Sequence, residues 1–132
     1  MSSHIPKEKR VLIHKKYNKK CAYCGINIDY DKMHVDHIVP IYRGSTQSEL
    51  NSYNVTKGTN RIENLNPSCP SCNSSKSTFT LEKWRNEISL KRDRIRVTSS
   101  NFRILERYKL VTIKKSDVVF YFEKLALKKS II

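Results

Sequence analysis

Two Cys-x-x-Cys pairs, Cys21/Cys24 and Cys69/Cys72, contain all four cysteines of the chain. Two residues between paired cysteines let both thiolates reach one tetrahedral ion, and Gly25 and Pro70 supply turn-forming backbone beside them. The expectation is a structural zinc, because four thiolates leave no open position for a substrate. Two disulfides compete with this reading, as does a redox pair. A reducing compartment disfavours the first, and thiol exchange has no need of two matched pairs.

Between the pairs lie 44 residues, against roughly 15 to 20 in a simple zinc ribbon. Something further has been built between the knuckles. That stretch holds His34-Val35-Asp36-His37-Ile38-Val39-Pro40 and Glu63-Asn64-Leu65, while Asn73 and Lys76 follow the second pair. Neighbouring residues of a strand face opposite sides, so Asp36 and His37 can serve one site only if the backbone turns as it approaches Pro40.

Asp-His before a proline, an isolated Asn-Leu and Cys-x-x-Cys-Asn-x-x-Lys occur in that order over about residues 21–79. The combination resembles the HNH nuclease family, whose ββα-metal motif often sits on such a zinc ribbon. The resemblance implies that Asp36 is a metal ligand, His37 the general base, Asn64 the residue that pins the active-site loop, and Asn73 the second metal ligand. One carboxylate and one amide oxygen leave positions for water and phosphate on a hard octahedral ion, Mg²⁺ or Mn²⁺. Neutral His37 would then take a proton from water, and the resulting hydroxide would attack phosphorus in line. Lys76, one turn into the helix after Asn73, and Arg43 are the candidate phosphate contacts. His34 shares the strand side of Asp36 and is either an outer partner of the site or an ordinary strand residue.

These groups need elements to hold them. The lysine-rich stretch 7–19 reads as a short helix leading into Cys21, with Pro6 at its first turn. Met33, Val35, Ile38 and Val39 read as a strand closed by Pro40. Residues 43–64, rich in Gly, Ser, Thr and Asn, read as a surface loop or insertion with a part in substrate contact. A helix should begin at Asn73, and Thr80-Leu81-Glu82-Lys83 carries a capping-box signature for another, with Leu81, Trp84, Ile88 and Ile95 at helical spacing. Residues 99–108 read as a further helix with Phe102 and Leu105 on one face. Leu110–Ile113 and Val118–Phe122 read as a hairpin, with helix the alternative for the last stretch. The fold class expected is α+β: a small zinc-stabilised ββα-metal core with flanking helices. Its domains would be residues 1–95, the nuclease domain with its N-terminal helix, and residues 96–132, an extension packed on it.

The 132-residue chain has 26 Lys and Arg against 12 Asp and Glu, a net charge of +14 with a pI near 9.8. Such a surface favours a polyanionic partner, because binding one releases its counterions. Double-stranded DNA is the expected partner, and a homodimer is one route to a double-strand break from a chain with a single site. No apolar run approaches the roughly 18 to 20 residues of a membrane span. Charge begins at Lys7 with no apolar h-region, so a cytoplasmic protein of bacterial or phage type is expected. The reading from a different class is a non-catalytic, zinc-stabilised nucleic-acid-binding module; an RNA-directed nuclease is a third. A binder would have no need of a base beside a metal ligand.

Overall fold

A computed structural model describes residues 4–42, 44–54 and 56–131. Its regular elements are α1 (Lys7–Lys15), β1 (His34–His37), α2 (Gln47–Ser52), β2 (Leu65–Ser68), α3 (Pro70–Lys76), α4 (Leu81–Thr98), α5 (Ser100–Arg107) and α6 (Tyr121–Ile131), with short 3-10 turns at Tyr30–Lys32 and Ile62–Asn64. Helices together with one small antiparallel sheet make this an α+β fold. The chain divides into two compact units, one of Met1–Leu81 with Val119–Ile132 and one of Glu82–Val118. The boundary expected near residue 95 lies inside α4, and the final segment groups with the first unit.

In the first unit, β1 and β2 pair antiparallel with His34 opposite Ser68, Asp36 opposite Asn66 and His37 opposite Leu65. All four residues of β2 are buried. Proline is tolerated in this two-stranded ribbon because it costs at most one ladder bond. Pro70 stands at the start of α3, where its missing N–H is no loss, and Cys69 caps the helix through its sulfur. The ββα order therefore arises from a strand, a long connection, a second strand and a helix that starts inside the second knuckle. The core collects Ile5, Ile13, Ala22, Tyr23, Ile28, Met33, Leu50, Leu65 and Phe120 around the sheet and the cysteines.

The connection 43–64, expected as loop, contains α2. Thr46 and Glu49 form a reciprocal capping box, and Leu50 is buried. A Thr-x-x-Glu signature was present in the sequence to find it.

The expected hairpin does not form: among the described residues, 110–120 hold no strand and 121–131 are helical. The reason is local. Phe120 N–H is capped by Glu123 Oε1 at 2.9 Å, while the Tyr121 and Phe122 N–H groups donate to Tyr23 O and Ala22 O. These bonds turn the chain into a helix start against the first knuckle, and an apolar run this short does not itself choose between the two periods.

In the second unit, α4 carries the buried Trp84. Ser99 caps α5 by accepting from Phe102 N–H at 3.1 Å. No helix of the described residues is long and apolar enough to cross a membrane.

Candidate active site and metal centre

The first knuckle is a tight turn. Gly25 adopts φ +81° so that its N–H can donate to Cys21 O, and Cys21 N–H donates to Ile26 O. A Cβ at Gly25 would be strained there and would press on the Tyr121 ring at 3.1 Å. In the second knuckle, Cys72 N–H donates to Cys69 Sγ at 3.3 Å. The four sulfurs lie within 4.8 Å of one another, and none is in a disulfide.

The crowded thiols cannot all ionise unaided. A hydrogen bond from Cys72 lowers Cys21 to about 4. The Cys72 thiol is pushed up chiefly by that same bond, and Cys24 by burial. A tetrahedral dication stabilises all four thiolates at once, so this donor set fits zinc.

On β1, Asp36 is 5% exposed. Lys76 Nζ lies 3.2 Å from its Oδ2 and also donates to His37 O at 2.9 Å, while the Tyr23 hydroxyl donates to Asp36 Oδ2. Burial raises the Asp36 pKa above the usual carboxylate value, and the Lys76 charge and the Tyr23 bond pull it back in part. Burial likewise lowers Lys76, against the pull of Asp36. Tyr23 is pushed up by burial and then by the neighbouring carboxylate, so it remains a neutral donor. Edge-on contacts with Phe120 and Phe122, at 5.5 and 5.9 Å, hold its ring.

His37 Nε2 is 2.7 Å from Asn60 Oδ1. Just beyond it, Asn64 fastens the turn. Its Oδ1 accepts from Val39 N–H at 2.8 Å, and its Nδ2 donates to Val39 O at 3.0 Å and Thr59 O at 2.8 Å. Gly58 N–H donates to Pro40 O, and a Cβ on Gly58 would lie 1.8 Å from Val39 O. Only glycine lets the two arms of this connection approach so closely. The 3-10 turn that presents Asn64 is fixed from outside. Lys16 Nζ donates to Ile62 O and Leu65 O, both at 2.9 Å, and to Asn66 Oδ1 at 3.3 Å. Lys9 Nζ donates to Asn60 O.

Asn73 stands at the fourth position of α3, and its Nδ2 donates to His34 Nδ1 at 3.4 Å. The amide oxygen is thereby left available. Alternation along β1 puts His34 on the strand side of Asp36. Asp36 and His37 line one cleft of about 390 Å³ together with Val35, Pro40, Ile41, Tyr42, Ser45, Ser77 and Thr78. Lys76, expected at the substrate phosphate, is instead fully buried, with its charge turned onto Asp36. Arg43 lies outside the described residues. Sequence reasoning missed Tyr23, Asn60 and Lys16, since each acts on a residue distant in the chain. For Tyr23, its place between two metal-type cysteines was the available signal.

The structure thus places a four-cysteine cluster beside a ββα unit whose first strand carries Asp36 and His37. Residues 21–79 match the family model described as HNH endonuclease, a span that runs from the first knuckle to just past α3. The matched span is 59 of 132 residues, a little under half of the chain. Among curated proteins, the "SPbeta prophage-derived putative HNH endonuclease YoqL" of Bacillus subtilis (strain 168) is 42% identical over 72 residues, 53% of this chain and 28% of that protein. The match therefore spans little more than a quarter of that relative. Among solved structures, the Type II-C Cas9 enzyme from Actinomyces naeslundii is similar over 67% of this chain and 9% of its own, with 27% identity and a TM-score of 0.49.

Proposed function

We propose that this chain is a metal-dependent endonuclease that hydrolyses phosphodiester bonds in double-stranded DNA. The observation that carries the reading is the shared cleft of Asp36 and His37, with the backbone just after them tied down by Asn64.

His37 is the general base. With Asn60 Oδ1 accepting the Nε2 proton, Nδ1 keeps its lone pair and takes a proton from water. The water oxygen bonds to phosphorus in line as the bond to the 3′ oxygen breaks. Asp36 and the Oδ1 of Asn73 would hold the catalytic cation; both are hard oxygen donors, which suits Mg²⁺ or Mn²⁺. When bound, that ion supplies charge stabilisation for the phosphoryl and departing oxygens. Lys76 supports Asp36 in its ionised form, and Asn64 keeps the turn after His37 in one shape. The four cysteines would hold a structural zinc, which would fix the start of α3 and with it Asn73.

The test is incubation of supercoiled plasmid with the protein and Mg²⁺ or Mn²⁺, beside His37→Ala. Nicked or linear product from the wild type alone is expected. Binding without cleavage in either metal would favour the non-catalytic zinc module, and cleavage that survives His37→Ala would remove His37 from the role of base.

A further inference from the structure

The charge of the chain is unevenly placed. Over residues 21–79, five Lys and Arg meet five Asp and Glu, so the matched span has no net charge. Residues 1–20 before it hold seven basic residues and one acidic, with Lys9, Arg10 and Lys16 already bonded within the fold. Within Glu82–Val118, by contrast, eleven basic residues meet five acidic ones.

Four of those five acids are already engaged inside the unit: Glu82 with Arg85, Glu87 with Lys83, Asp93 with Arg92 and Glu106 with Arg96. Several arginines are held by backbone as well. Arg85 donates to Val118 O, Arg92 to Ser116 O, and Arg103 to the carbonyls of Arg96 and Val97. The first two fasten the segment after α5 to α4, and the Arg103 bonds tie α5 to the end of α4. Six cationic side chains remain: Lys91, Arg94, Arg107, Lys109, Lys114 and Lys115. All are exposed, and among the described residues none makes a side-chain ion pair or hydrogen bond. Lys91 and Arg94 lie on one face of α4, where they line a groove of about 320 Å³ with Leu90 and Thr98.

We infer that Glu82–Val118 is the unit that grips the DNA backbone, with these six side chains as its phosphate ligands, while the neutral span 21–79 performs the cut. This rests on the nuclease reading above. Six unpaired cations distributed over α4, the end of α5 and the segment that follows suit a long polyanion better than a small anion. Phosphates repeat along the duplex at a density of about one charge per 1.7 Å of axis, and each phosphate neutralised releases counterion. Interactions of this kind fix position on the duplex without reading its sequence.

The experiment measures binding of the full chain, carrying His37→Ala so that the duplex stays intact, to a short DNA of arbitrary sequence over a range of salt. In the variant Lys91→Gln/Arg94→Gln/Lys114→Gln/Lys115→Gln, the slope of log K against log salt should fall by about 3 to 4, at roughly 0.9 for each phosphate no longer neutralised. Affinity near 0.1 M salt should fall at least about tenfold, with an unchanged melting curve. The charge-retaining variant Lys91→Arg/Arg94→Lys/Lys114→Arg/Lys115→Arg should keep the wild-type slope. An unchanged slope in the glutamine variant would overturn the inference even if the wild type cleaves DNA. A steep slope lost in the glutamine variant, with no cleavage by the wild type, would retain the grip and reject the nuclease. Tighter binding to duplex RNA than to DNA, or loss of binding to phosphatidylserine vesicles but not to DNA, would also overturn it.

Discussion

The Nζ of Lys76 sits 3.2 Å from Asp36 Oδ2, with side-chain exposures of 0% and 6%. A lysine that begins on the surface of the motif in sequence thus ends beneath the site. Removing one partner of such a pair leaves an uncompensated buried charge. Lys76→Met is expected to destabilise the fold by about 3 to 5 kcal/mol. Lys76→Met/Asp36→Asn should recover part of that loss. Urea unfolding of the three proteins measures it; equal midpoints for wild type and Lys76→Met would show that the pair carries no weight.

Asn64 touches no reacting atom in the proposed mechanism but bonds to Val39 twice and to Thr59 once. Asn64→Ala should lower kcat by about 100-fold, the order expected when a catalytic group is displaced by about 1 Å. Its far-ultraviolet spectrum should match the wild type. Plasmid nicking rates at saturating DNA provide the check.

Gly58→Ala attacks the same turn from the other side. Its Cβ cannot share space with Val39 O, so the backbone must move. The expected result is a loss of activity similar to that of Asn64→Ala. Full activity in Gly58→Ala would mean that this close approach is dispensable.

If the four-cysteine centre holds a structural ion, as proposed, stripping it should unfold the first unit, because such an ion would tie Cys21 and Cys24 to the start of α3. Circular dichroism during chelation by a strong zinc chelator should show loss of structure that zinc restores and Mg²⁺ does not. Retained structure in metal-free protein would reject a structural role for the cluster.

Tyr17 packs near Phe122, with ring centroids 6.0 Å apart, and burial raises its pKa above 10.0. The folded state therefore holds its proton more tightly than the unfolded chain. The stability this contributes is complete below about pH 10 and is lost as pH rises through the folded value. Tyr17→Phe should flatten the fall in stability above pH 10, as read from denaturant midpoints at successive pH values. An unaltered slope would show that Tyr17 is not responsible.

The local parts of this architecture were legible in the residues. Cysteine spacing announced the four-sulfur cluster, and a helix was legible at Asn73, although α3 starts three residues earlier at Pro70, which reads from sequence as a turn residue. Periodic Leu81 and Trp84 announced α4, because helical spacing and metal-ligand spacing are properties of short windows. What escaped was set by distant partners. Nothing near Phe120 says that Tyr121 and Phe122 will donate to the first knuckle, so a run that fits a strand became the start of α6. Lys76 could be seen to lie near the site, but its burial depends on β1, a strand far from it in the chain. Asn60 and Lys16 were silent for the same reason. Thr46 and Glu49 differ, since their capping box was local and α2 could have been read.

The return of Val119–Ile132 to the first unit makes Glu82–Val118 an insertion with both ends anchored in the same body. A change in that insert need not disturb the order in which the knuckles, sheet and Asp36 are threaded. Such a chain is open to exchange by cassette: a different segment joined between Leu81 and Val119 would leave every element of the first unit in its place along the chain.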